Sequence, residues 1–120
     1  MIHNILKVML SALFISACTE EENIPVIEIS KGEQYTFEFD ANWSTGYAWQ
    51  WVNSDDTTVA DTISRVYKQS SSGMEGNDGV EEWTFIGKTT GEQPLKFEYV
   101  QAFNQDAQPD EIKEFILEVK

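Results

Sequence analysis

The chain has 120 residues, a single domain's length, and carries 21 acidic against 8 Lys and Arg residues for a formal net charge of −13. A surface this acidic argues against nucleic acid as a partner and against electrostatic docking on anionic lipid. Its one histidine, His3, and its one cysteine, Cys18, both fall near the N terminus.

The first segment reads as a secretory signal. Lys7 is a short basic region, VMLSALFI (residues 8–15) an apolar one, and Ser16, Ala17 and Cys18 follow as small residues. The apolar run is too short to span a bilayer. Leu13-Phe14-Ile15-Ser16-Ala17-Cys18 resembles the lipobox of bacterial lipoproteins, in which cleavage precedes the cysteine and that residue is acylated. The alternative is an ordinary signal with an incidental cysteine. The lipoprotein reading divides the chain into a signal peptide (1–17), a lipidated Cys18 with an acidic tether (18–23), and one domain (24–120). It implies attachment to the membrane through acyl chains at Cys18, within the bacterial cell envelope: outer membrane, periplasmic or surface-exposed.

Without residues 1–17 no imidazole or free thiol remains. That excludes serine–histidine and cysteine–histidine catalysis, and zinc held by histidine or cysteine. Carboxylate pairs leave glycosidase chemistry formally open. The expectation is a protein that is not an enzyme, with no catalytic residue, metal or cofactor, acting as a monomer. No disulfide is available, so stability must come from packing. All four Trp, all four Tyr and six of the seven Phe follow Cys18.

Beyond the tether, hydrophobicity alternates with period two and breaks at turn residues. Val26 to Ser30 is a first strand, ended by Lys31-Gly32. Tyr35, Phe37 and Phe39 make one buried aromatic face of a second. Ala48 to Asn53 is a third, with Trp49 and Trp51 on one side. Val59 to Gln69 reads as two short strands parted at Asp61-Thr62. Val80 to Ile86 aligns Trp83 with Phe85. Leu95, Phe97 and Tyr99 follow a turn at Gly91 to Pro94, and Phe115, Leu117 and Val119 close the chain. No segment sustains a helical period. Seven to eight short strands with turns between them predict an all-β antiparallel sandwich without a disulfide, whose core includes Phe37, Trp49, Phe97 and Leu117.

Three connections are longer, more glycine-bearing or more aromatic than a hairpin requires. Asn42-Trp43-Ser44-Thr45-Gly46-Tyr47 suits a tight protruding loop, since Asn and Gly tolerate positive φ. Trp43 and Tyr47 there are either contact residues or aromatics folded back on the core. Gly73 to Gly79 is a glycine-rich loop where backbone can approach a partner. Its acids lack the alternating ligand spacing of a calcium loop. From Val100 to about Glu111 runs the longest irregular stretch, in which Phe103 is an isolated aromatic: a binding anchor or a cover for the core.

The segment NWSTGYAW resembles the NPTTGY-x-W signature of the chagasin-type inhibitors of papain-like cysteine proteases. That family has two further motifs in fixed order, GxGG and RPW. Gly76-Asn77-Asp78-Gly79 stands at the second place, and Gln101-Ala102-Phe103 at the third. The resemblance covers roughly all of the chain after the tether, and it implies an immunoglobulin-like sandwich whose three loops form a wedge at one end. By it, Asn42, Trp43, Ser44, Thr45, Gly46 and Tyr47 enter the protease cleft beside the catalytic cysteine. Gly76, Asn77, Asp78 and Gly79 lie along one wall, and Gln101, Ala102 and Phe103 meet the other. The implied function is reversible, non-covalent inhibition by occlusion of the cleft. Three departures bear on affinity and target: Trp43 for proline, Asp78 for glycine, and Gln101-Ala102-Phe103 for Arg-Pro-Trp.

The competing reading is a surface-exposed carbohydrate- or adhesion-binding module on the same sandwich, since fold does not dictate function. A sugar platform needs Trp49, Trp51 or Trp83 exposed on a sheet face. Inhibition needs Trp43, Tyr47 and Phe103 gathered at one end.

Overall fold

A computed structural model describes residues 23–69, 79–104 and 106–120. Among these are seven strands: β1 (Val26–Ile29), β2 (Gln34–Ala41), β3 (Tyr47–Trp51), β4 (Ala60–Gln69), β5 (Gly79–Gly87), β6 (Gly91–Gln101) and β7 (Glu111–Val119). One short 3-10 turn, Trp43–Thr45, joins β2 to β3. Two sheets, ordered β1-β7-β6-β3 and β2-β5-β4, form the expected sandwich. All pairings are antiparallel except that of β1, which runs parallel to β7. The turn after β1 switches sheets, so β1 pairs with the last strand instead of with β2.

Period-two alternation builds the core from both inner faces. Phe37 and Phe39 of β2 meet Phe97 of β6 and Phe115 of β7 across the sandwich, with ring centroids 4.7–6.0 Å apart. Phe37, Trp49, Phe97 and Leu117 are all buried, as the alternation requires. Tyr35 shares their face but sits at its margin, edge-on to Phe37 and partly exposed. Aromatic pairs of this geometry add to the area they bury, which suits a domain with no cross-link.

Beyond shifts of one or two residues at strand ends, three features differ from the sequence expectation. The predicted break at Asp61-Thr62 is a bulge within one strand: the β4–β5 register slips between Thr62 and Ser64, leaving Ile63 half-exposed. Gly91 to Pro94 belongs to β6 instead of a turn. Pro94 is tolerated there because β3 reaches only as far as Phe97 on that side; Asn53 takes over, its Nδ2 donating to Pro94 O at 3.0 Å. Val100 is a buried residue of β6, so the third connection is shorter than expected, between Gln101 and Glu111.

The topology gathers the three long connections at one end. The turn at 42–46 leaves from Ala41, whose register partner is Gly79 at the start of β5. Gly79 also pairs with Gln69 at the end of β4, so both stems of the β4–β5 connection stand beside the turn. The β6–β7 connection leaves from Gln101, paired with Tyr47. Residues 70–78, which hold Gly76, Asn77 and Asp78 of the second motif, lie outside the described residues, as does Cys18.

Candidate functional site

The first loop is self-supporting. Asn42 caps the 3-10 turn, its Oδ1 accepting from Ser44 N at 3.2 Å and from Ser44 Oγ at 2.5 Å. Asn42 O accepts from Thr45 N at 3.2 Å and Thr45 Oγ1 at 2.7 Å. Gly46 closes the turn at φ 87°, ψ 1°, a left-handed conformation natural to glycine, with its N–H on Trp43 O at 3.0 Å. Asn42 N donates to Tyr99 Oη at 2.9 Å, which fastens the start of the turn to β6. Burial holds the Tyr99 phenol above its ordinary pKa; the Asn42 N–H opposes that rise and the charge of Glu81 adds to it.

The third loop rests on the first. Ala102 N donates to Gly46 O at 2.9 Å, and Gln101 Nε2 to Tyr47 Oη at 3.2 Å. A Cβ added at Gly46 would stand 2.8 Å from Phe103 Cε1, so the phenylalanine ring lies directly over the glycine. Phe103 is nonetheless 76% exposed and Trp43 42% exposed. The structure therefore brings Trp43, Gly46, Tyr47, Ala102 and Phe103 together at one end of the sandwich. Of the two readings for Phe103, it is no cover for the core. Trp43 is held against the sheet yet keeps one side in solvent. A shallow groove of about 300 Å³ opens between Trp43, Gly46, Tyr47, Ala48, Arg65 and Ala102.

Gly79, the last residue of the second motif, is held in place by close packing. It is a buried strand residue, and a Cβ there would meet Tyr67 Oη at 2.5 Å and Lys68 O at 2.7 Å. Close packing against β4 demands glycine at this position. The tryptophans that a sugar platform would need are inside: Trp49 is 1% and Trp83 6% exposed, and Trp51 packs edge-on to Phe85.

Four residues at this end were not read as site residues from the sequence. Tyr99 anchors Asn42. Glu81, fully buried, accepts at Oε2 from Trp43 Nε1 (2.7 Å) and Trp49 N (2.9 Å), and at Oε1 from Trp83 Nε1 (3.0 Å). Arg65 pairs with Glu81 at 3.3 Å and donates to Trp49 O at 3.1 Å, its guanidinium between the Trp43 and Trp83 rings. Tyr67 stacks on Trp43, centroids 4.3 Å apart and planes within 6°. The alternation of β5 held the signal: Gly79, Glu81, Trp83, Phe85 and Gly87 share the inward face, and only Glu81 among them is charged.

The sequence profile of the chagasin family peptidase inhibitor I42 matches residues 28–119. No curated protein sequence matches the chain. Among solved structures the fold is similar to that of EhICP2, a cysteine protease inhibitor from Entamoeba histolytica, with TM-score 0.69 and 20% identity over 82% of this chain and 89% of that one. Leishmania mexicana ICP aligns with TM-score 0.60 and 22% identity, covering 83% of this chain and 91% of the other. Amebosin aligns with TM-score 0.56 and 25% identity, covering 79% and 86%. The family is one of inhibitors, not enzymes, and its profile spans both sheets and all three connections at the loop-bearing end. The chain belongs to the chagasin family of peptidase inhibitors.

Proposed function

We propose that the protein inhibits papain-like cysteine proteases reversibly and without a covalent bond, by seating the end that bears the 42–47 turn and Phe103 in the active-site cleft. The observation that carries this reading is the contact of two loops from different strand pairs: Gly46 O accepts from Ala102 N, and the Phe103 ring lies over Gly46. A surface already assembled this way loses little conformational freedom on binding. Residues 42–47 and 101–104 carry no charged side chain in a chain of net charge −13, so their burial in a cleft strands no ion. The turn also makes a poor substrate. A protease binds extended backbone, whereas the carbonyls of Asn42, Trp43 and Gly46 are already engaged within the loops. Occupation of the cleft excludes substrate while presenting no bond in a reactive geometry.

In this reading Gln101 and Ala102 shape the Phe103 side of the wedge, and Gly76, Asn77, Asp78 and Gly79 would meet the opposite wall. The lipobox-like Cys18 would hold the inhibitor on the cell envelope by its acyl chains, with 19–23 as a tether. Titration of papain activity with the purified protein tests the function. Inhibition that reverses on dilution, with both masses unchanged, is expected; no inhibition, or a covalent adduct in the mass spectrum, contradicts it.

A further inference from the structure

Glu81 occupies a place where a carboxylate is expensive. It is fully buried on the inward face of β5, among Trp43, Trp49 and Trp83. Replacing the whole Arg65–Glu81 pair by apolar residues of similar size would be expected to leave core stability about the same or better, so stability alone does not explain the carboxylate. What the carboxylate supplies instead is directional. Two indole N–H groups, one backbone N–H and the Arg65 guanidinium converge on its two oxygens. Only one of these donors belongs to the 42–46 turn: Trp43 Nε1, at 2.7 Å the shortest contact of the set. Tyr67 covers the flat side of the same indole and the Arg65 guanidinium lies 5.3 Å from its centroid, so the ring is fixed by contacts to β4 and β5. Trp43 is the first residue of the 3-10 turn, and its carbonyl receives the Gly46 N–H that closes it.

We infer that Glu81 is a positioning residue for inhibition: from inside the sandwich it holds Trp43, and through Trp43 the left-handed Gly46 corner on which Phe103 rests. This deepens the inhibitor reading and rests on it. The chain thus fixes the conformation of a surface turn with a side-chain latch to the core, and the latch sets how much of the wedge is preformed.

The test uses Glu81→Gln, which keeps the volume but turns one acceptor oxygen into a donor and removes the counter-charge of Arg65. Amide hydrogen exchange and papain inhibition are measured on the same protein. The expected result is exchange of the Gly46 amide at least about tenfold faster, with the β2–β5 ladder amides unchanged, and inhibition weakened about tenfold. Trp43→Phe serves if Glu81→Gln does not fold: it keeps a ring against Tyr67, loses the N–H, and is expected to free the Gly46 amide likewise. Unchanged Gly46 exchange in the folded variant overturns the inference, as does an equal acceleration throughout the β2–β5 ladder, which would mark a general loss of stability. Exchange needs no protease. If the wild type fails to inhibit papain while the Gly46 amide still responds, the functional reading falls and the latch stands.

Discussion

Phe103 lies on Gly46: a Cβ at the glycine would stand 2.8 Å from the ring's Cε1, and the two loops are joined by the Ala102 N–H on Gly46 O. The glycine is needed twice over, for its φ of 87° and for the space the ring occupies. Gly32, at the opposite end, has nearly the same φ, 86°, and nothing within 4 Å of an added Cβ. The two positions form a matched pair. Gly46→Val and Gly32→Val should each lower stability by about 2 kcal/mol through backbone strain. Only Gly46→Val should also weaken papain inhibition, by about tenfold or more, because it alone displaces Phe103 from its seat. Melting temperatures and inhibition constants of both variants check this.

Phe103→Ala isolates the anchor. The side chain is so exposed that stability should change by less than about 0.5 kcal/mol. Binding to papain should weaken by about 1–2 kcal/mol, roughly tenfold, as for a partly buried aromatic at an interface. Calorimetry of unfolding and of binding separates the two effects.

Gly79→Ala tests the packing demand at the start of β5. The added methyl would press on Tyr67 Oη and on the backbone oxygen of Lys68, which cannot swing aside. The expected outcome is a loss of about 1–3 kcal/mol of stability, read as a lower midpoint in denaturant.

The alternation that predicted the strands worked because the sandwich has one inner and one outer face, and a period of two records that directly. It placed Phe37, Trp49, Phe97 and Leu117 inside. It failed where backbone, not side chain, decides. The bulge near Ile63 keeps β4 continuous through a stretch that reads as a break, and Pro94 sits in β6 because Asn53 replaces a strand there. Of the candidate site, Asn42, Gly46 and Phe103 could be picked out in the sequence, because their residue types are unusual for their surroundings. Arg65 and Tyr67 could not, since on an outer-looking strand they resemble any solvated residue; Glu81's buried carboxylate and the Trp49 carbonyl draw Arg65 inward.

Tyr99 gives the protein an alkaline limit. Its phenol is held above the ordinary value of 10.0 chiefly by burial. The folded state therefore keeps the proton that the unfolded chain releases. The stability this contributes is whole below about pH 10 and is lost as pH rises through the folded pKa. Tyr99→Phe should flatten that part of the stability–pH curve above pH 10, measured by denaturation at successive pH values. A slope unchanged by the substitution would assign it to other groups.

Cys18→Ser addresses the proposed anchor. With the wild-type sequence expressed in a bacterial host, the protein should partition with membranes; the serine variant should be released or left unprocessed. Normal cleavage with unchanged membrane partitioning would remove the lipid from the account.

The claim that the loop-bearing end fills a protease cleft is tested most directly by calorimetric titration of three forms of papain: active, with its catalytic cysteine replaced by alanine, and with that cysteine alkylated. The first turn would sit against the sulfur without bonding to it. Active and alanine forms should then bind with similar affinity, and the alkylated form should bind much more weakly, because added bulk clashes where lost bulk does not. Equal affinity for all three forms would place the contact outside the cleft and contradict the account.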